Sequence, residues 1–362
     1  MDGVAAMEAL QNRLKPIRRS QLLYMSLCGF SSSQISALLA GKETLRRESG
    51  MVHRKELFSL QPEGTPQIKR WREFEAKGYW ALTLFDDDYP DKLREIEPVP
   101  YVLYGRGRRS VLTGFSIAVI GSRKPSAYGI SCTNFFAEGL ARAGAVIISG
   151  LAYGIDSLAH QAALRASCPT IAVLGNGIND IYPASHRGIA DKIVQEGCLL
   201  SEYPPGVKAL PHHFIQRNRL ISGLSDGVLV IEANRRSGTM ITVNCASEQG
   251  KNVFCVPGNI QQKLSEGTNE QIRRGATLVT NIEEVLNAYE WKPLPVKEAK
   301  KAKEALTAME GAIYDMLRLA PCGADELSHV VPLTISDLWM CLTSLEMKGK
   351  IQRRSDGKFA IQ

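Results

Sequence analysis

The period of the apolar positions changes along the chain. Up to about Lys77 they recur at helical spacing, with Leu22, Leu23, Met25, Leu27, Ile35, Leu38 and Leu39 in successive turns. Ser31-Ser32-Ser33 supplies a turn and an N-cap between them. The spacing predicts helices there. Tyr79–Leu84 and Tyr101–Gly105 then read as short strands, joined by a connection punctuated by Pro90, Pro98 and Pro100.

From residue 117 onward, apolar runs alternate with several helix-length stretches. The runs are Ile117–Ile120, Val146–Ile148, Thr170–Leu174, Cys198–Leu200, Val228–Ile231, Asn252–Val256 and Thr277–Thr280. Near-continuous apolar runs mark strands covered on both faces, so the pattern predicts a mostly parallel sheet between helix layers. The charged, Pro-containing stretch Trp291–Glu304 reads as a linker. Helices are expected at Ala305–Leu319, Ala324–Val330 and Ser336–Lys348, the last behind a Thr334-Ile335-Ser336-Asp337 capping box. Lys350–Ile361 reads as two short strands about Asp356-Gly357, and three helices followed by a hairpin is a winged-helix pattern. The fold class is therefore α/β: an extended Rossmann-like, mostly parallel sheet, with an N-terminal helical domain and a C-terminal winged helix. The expected divisions are residues 1–78, 79–290, a linker at 291–304, and 305–362.

At 362 residues with 44% apolar and 22% charged side chains, the chain can bury a sizeable core, which excludes a disordered or small stapled protein. The net charge of +7 permits a polyanionic partner. Residues 1–110 carry 18 basic and 14 acidic side chains, 111–302 carry 19 and 15, and 303–362 carry 7 and 8. None of the 8 cysteines forms a CxxC pair. They read as reduced core thiols, and no metal site is expected. The acidic N-terminus lacks the pattern of a signal peptide, and the run Ala143–Ile155 is too short and Gly-rich to span a bilayer. A cytoplasmic protein without membrane insertion is expected.

In a doubly wound sheet, ligands bind beyond the carboxyl ends of the strands. Four such ends carry similar chemistry. Gly121-Ser122-Arg123-Lys124 follows the first run, and its glycine, hydroxyl and cations suit a phosphate. Ser149, Gly150 and Gly154 straddle the next turn, where Asp156 and His160 share a helix face and read as a cap and a local hydrogen bond. Pro211–Arg219 gathers His212, His213, Phe214, Arg217, Asn218 and Arg219. An aromatic ring and two cations suit single-stranded nucleic acid, with one arginine available to pair with Glu202 or Glu232 instead. Arg235, Arg236, Ser237, Gly238 and Thr239 form a further anion nest, and Lys251 follows the next helix. There is no Walker A, GxGxxG, GxSxG or HExxH pattern and no paired-carboxylate set, so no catalytic residue and no cofactor are expected.

These motifs, in this order, resemble the DNA-processing protein A family (DprA, also called Smf). The resemblance lies in Ile117-Ala-Val-Ile-Gly-Ser-Arg123, Ser149-Gly-Leu-Ala-Tyr-Gly-Ile-Asp156 with His160, and Thr170-Ile-Ala-Val-Leu-Gly-Asn-Gly177 with Tyr182-Pro183. It continues through Leu200-Ser-Glu-Tyr-Pro-Pro-Gly206, His213-Phe-Ile-Gln-Arg-Asn-Arg219, Glu232-Ala to Ser237-Gly-Thr239, Val253-Phe-Cys-Val-Pro-Gly258, Gly267-Thr-Asn269 and Gly275-Ala276. It implies a Rossmann-like domain that binds single-stranded DNA, a homodimer formed through that domain, and loading of RecA recombinase during natural transformation. It also implies a protein that is not an enzyme. It assigns the DNA site to Gly121, Ser122, Arg123, Phe214, Arg217, Arg219 and the Ser237–Thr239 turn. Lys251 stands where many members carry Arg, and Gln216 where the family often has a base or Pro.

The N-terminal helices resemble either a sterile-alpha-motif or a helix-hairpin-helix module. For the winged helix, duplex binding and partner docking both stay open. A different class also fits the sheet: nucleotide-binding or phosphoribohydrolase proteins, for which Glu232 is the only candidate acid.

Overall fold

A computed structural model of the chain describes residues 14–15, 17–47, 50–291, 307–319, 321–331, 333–347, 349–354 and 357–361. The expected linker beyond Trp291, the first residues of the N-terminal domain and Asp356 of the hairpin turn lie outside them. The described residues fall into two compact units, divided after residue 295.

In the first unit, α1 (Arg19–Leu27) and α2 (Ser32–Leu39) form where the apolar spacing predicts helices, and the Ser31 side chain caps α2. A hairpin follows that the helical pattern does not predict, β1 (Thr44–Arg47) with β2 (Gly50–His53), then α3 (Arg54–Ser59) and α4 (Pro66–Glu75). The reason is compositional: β1 is Thr-Leu-Arg-Arg, in which Leu45 is buried and is the single apolar residue, so no apolar run marks it. This helical layer packs on the sheet, with Trp71 edge-on to Tyr104 at 5.2 Å and the Tyr104 hydroxyl donating to Ser26 at 2.8 Å.

The sheet begins with two antiparallel strands, β3 (Tyr79–Thr83) and β4 (Val102–Gly107). It continues as β5 (Ser116–Ile120), α5 (Ala127–Arg142), β6 (Val146–Ser149), α6 (Ile155–Arg165), β7 (Thr170–Leu174), α7 (Arg187–Glu196), β8 (Cys198–Ser201), α8 (Pro211–Leu224) and β9 (Gly227–Val230). Then come α9 (Gly238–Glu248), β10 (Asn252–Cys255), α10 (Glu266–Arg273), β11 (Thr277–Leu278) and α11 (Ile282–Asn287). The nine strands lie in the order β11-β10-β9-β5-β6-β7-β8-β4-β3, and all neighbours from β11 to β8 are parallel.

The apolar runs form strands because both faces are covered. In β5, Ile117 and Val119 enter the core made with Phe136, Leu140 and Ala159 of α5 and α6, while Ala118 and Ile120 enter the opposite core with Leu220 and Val243 of α8 and α9. After β8 the chain crosses to the other side of β5 to form β9. The topological switch point therefore lies between β5 and β9.

The second unit is a winged helix. It holds α12 (Ala308–Leu319), α13 (Ala324–Ser328), α14 (Ile335–Met347) and the antiparallel pair β12 (Ile351–Arg353) and β13 (Phe359–Ile361). Ile313, Leu317, Leu327, Leu342 and Phe359 form its core. Among the described residues, no helix is long and apolar enough to cross a membrane.

Candidate nucleic-acid interface

The turns after β5 and β9 face each other across the switch point. Ser122 donates its backbone N–H to the Glu232 carbonyl at 2.8 Å, and the Thr239 hydroxyl donates to the Gly121 carbonyl at 3.1 Å. A Cβ on Gly121 would meet the Glu232 carbonyl at 2.9 Å, so glycine permits this approach. The β6–α6 turn closes one side. Gly154 has φ 78°, and a Cβ there would lie 2.3 Å from the Ser122 carbonyl.

Three helix N-termini approach this crevice, and an internal carboxylate lies beside two of them. Glu232, fully buried, accepts from the Ser126 N–H at 2.9 Å and from the Ser126 hydroxyl, at the start of α5. Asp156, in the first turn of α6, accepts from the N–H groups of Gly150 at 3.2 Å and Ala152 at 3.4 Å in the preceding β6–α6 turn. Burial raises its carboxyl above the ordinary range and Arg217 pulls it partly back. The start of α9 is different. It has no acid in its first turn and no side-chain cap, and the Ser237 hydroxyl is buried without a partner. That leaves uncapped amides, a buried hydroxyl and a positive helix end, which together favour an anion.

Arg123, Lys124 and Arg236 are exposed at this crevice, and none has an ion pair among the described residues. Arg235 is also exposed but pairs with Glu270 at 2.6 Å. Asn218 reaches the rim by donating to the Gly238 carbonyl at 3.4 Å.

The other expected site residues stand elsewhere or face inward. Arg217 is buried at 4% exposure and donates to the carbonyls of Gly150, at 2.8 Å, and Val173. Burial pushes its guanidinium down to about 10, with Asp156 opposing. Gly150 must lack a side chain because a Cβ would meet this guanidinium at 2.6 Å. Arg219 donates to both oxygens of Glu202, at 2.6 and 2.7 Å, and Glu202 also accepts from Ser32 of α2 at 2.5 Å. Of the two arginines, Arg219 thus makes the expected Glu202 pair, and Arg217 is a buried clamp as well. Ser149 is buried and donates to the Val119 carbonyl at 2.7 Å. Lys251 precedes β10 at the amino end of the sheet, away from the crevice, where burial and Lys92 depress its pKa. Asp156 and His160 do not pair; His160 instead contacts Thr170 at 2.7 Å.

Three aromatics at the strand ends are not among the expected site residues. Tyr153, Tyr182 and Tyr203 lie in the segments after β6, β7 and β8; Tyr153 packs against His186, Tyr182 against Phe214 and Tyr203 against His213. Tyr153 and Tyr182 stand inside the motifs quoted above, where the signal is an aromatic ring placed just beyond a strand.

The fold and this crevice define a class: a doubly wound α/β protein with an anion-receptive cleft at its switch point. The family profile described as DNA recombination-mediator protein A matches residues 80–290, and the DprA winged helix domain profile matches residues 297–357. The chain belongs to this DprA/Smf family. It is 47% identical over 199 residues to protein Smf of Escherichia coli, a match covering 55% of this chain and 53% of that protein. The chain thus spans about half the length of that relative. The crystal structure of DNA processing protein A from Streptococcus pneumoniae aligns at TM-score 0.61 and 35% identity, covering 74% of this chain and 97% of that one. A structure describing the single-stranded DNA binding mode of the Helicobacter pylori protein aligns at TM-score 0.54 and 33% identity, covering 59% and 95%.

Proposed function

We propose that the protein binds single-stranded DNA across the carboxyl edge of its sheet and delivers it to RecA recombinase in recombination or natural transformation, as a homodimer built through the sheet unit. The observation that carries DNA binding is the β5/β9 crevice. There, unpaired Arg123, Lys124 and Arg236 surround an uncapped helix end with a buried, unpartnered Ser237 hydroxyl. Arg123 and Arg236 supply planar forks for phosphates, and the α9 amides supply donors that no internal acid occupies. Support for the hand-over to RecA and for the dimer comes from family membership.

No bond-breaking step is assigned. Glu232, the acid a phosphoribohydrolase would need, has both oxygens engaged by Ser126 and is shut from solvent.

Fluorescence anisotropy with a labelled oligo-dT tests the binding. Arg123→Ala and Arg236→Ala should each weaken it, and each should reduce the slope of log K against log salt by roughly 0.7 per lost phosphate contact. Equal affinity for duplex and single strand, untouched by either change, would overturn the proposal.

A further inference from the structure

The carboxyl edge of the sheet is divided in two. Its cations stand after β9 and β5, whereas aromatic rings stand after β6, β7 and β8. Neighbouring strands are about 4.8 Å apart, so the loops from β5 to β8 span roughly 15 Å. The aromatic half is continuous with the crevice. Gly154, next to Tyr153, packs on the Ser122–Arg123 backbone, and the Phe214 ring lies where a Cβ on Gly175 would meet it at 2.6 Å.

Each exposed ring is held on one side. Tyr153 is 52% exposed, with its hydroxyl 3.2 Å from that of Ser185 and its ring edge-on to His186 at 4.9 Å. Tyr182 is 53% exposed and rests tilted against Phe214 at 5.4 Å. Beyond them Tyr203 stacks on His213 at 4.2 Å. Rings fixed on one side and open on the other present flat apolar surface to water, and their ordering precedes any ligand.

We infer that Tyr153 and Tyr182 are base-stacking residues, which take the bases of a single strand whose phosphates lie in the β5/β9 crevice. This rests on the reading of the site as a single-strand groove, and it adds where the bases go. Every base offers a π-face, so a stacking platform of this kind holds a strand without reading its sequence. Duplex DNA keeps its bases paired and stacked inside, so the aromatic half gives the site its preference for single strands.

The test uses the full chain with two probes of equal length, oligo-dT and an abasic deoxyribose-phosphate strand that keeps the phosphates and lacks the bases. The unaltered chain should prefer oligo-dT. Tyr182→Ala and Tyr153→Ala should each lower oligo-dT affinity roughly five- to hundred-fold per lost stack, leaving abasic-strand affinity and the salt slope unchanged. Tyr182→Phe should retain the preference, since the ring remains. If the unaltered chain binds both strands equally, or if the alanine variants keep the full preference for oligo-dT, the stacking role is wrong while the phosphate site survives. If the unaltered chain binds neither strand, the single-strand reading fails and this inference with it.

Discussion

At the residue scale, two buried groups show what their types alone conceal. The Thr170 hydroxyl donates to the Ile147 carbonyl at 2.6 Å, so it must accept from His160 Nδ1–H. That fixes a neutral tautomer whose Nε2 is buried without a partner. Burial depresses its pKa to about 3 from 6.5. An unfolded chain takes up this proton below pH 6.5 and the folded chain only near 3, so the contribution is complete above 6.5 and declines as pH falls. At pH 5 the loss is about 2 kcal/mol. His160→Asn, whose amide can still donate to Thr170, should flatten the fall of Tm between pH 7 and 5; an unchanged slope would rule this account out. Arg217 is the second case. Its type suggests phosphate binding, but its guanidinium is spent on the Gly150 and Val173 carbonyls. Arg217→Ala would leave the buried Gly150 and Val173 carbonyls without this donor, and should lower stability by about 1–3 kcal/mol in denaturant titration. A folded variant of normal stability that has merely lost DNA would return Arg217 to the ligand side. The sequence offers the choice between these roles for Arg217 and Arg219, but not its resolution, because the facing carbonyls and Glu202 come from distant segments.

At the element scale, the strands of the sheet are legible because burial on both faces requires apolar residues at every position. The runs at Ile117–Ile120, Val146–Ile148, Thr170–Leu174 and Val228–Ile231 all fall within or against strands. The β1–β2 hairpin is not legible, since Leu45 is the one apolar residue of β1 and leaves no period to read. The expected Thr277–Thr280 strand is shortened to Thr277–Leu278. Thr280 instead turns its N–H to Glu284 of α11 at 2.6 Å. Of the site, the Gly-rich turns are visible in sequence, but which helix end stays open is not. That depends on where two carboxylates come to lie: Glu232, after β9, on the Ser126 cap of α5, and Asp156, in the first turn of α6, on the turn before it. The interlock of the β5 and β6 turns gives a prediction. Gly154→Ala sets a Cβ against the Ser122 carbonyl at a φ that alanine disfavours, so it should displace the Ser122–Arg123 backbone and lower both Tm and oligo-dT affinity. Unchanged affinity would show that the crevice tolerates a moved Arg123.

At the scale of the whole molecule, the mild net charge acquires a location. The last 60 residues contribute 7 basic and 8 acidic side chains, and α14, the third helix of the winged unit, carries no Lys or Arg within Ile335–Met347. It exposes Ile335, Trp339 and Met340 instead. The single-strand site should therefore be complete in the sheet unit, with the winged helix adding little to oligo-dT affinity. A focused crevice and a diffuse basic coat differ in how binding responds to salt. The most direct test is the salt dependence of oligo-dT anisotropy for the unaltered chain and for the Arg123→Ala/Arg236→Ala double variant. A crevice predicts a linear log–log slope of a few units that falls by roughly 1.4 in the double variant, with affinity lost at every salt concentration. A slope that stays the same in the double variant would place the DNA elsewhere on the molecule and contradict the account.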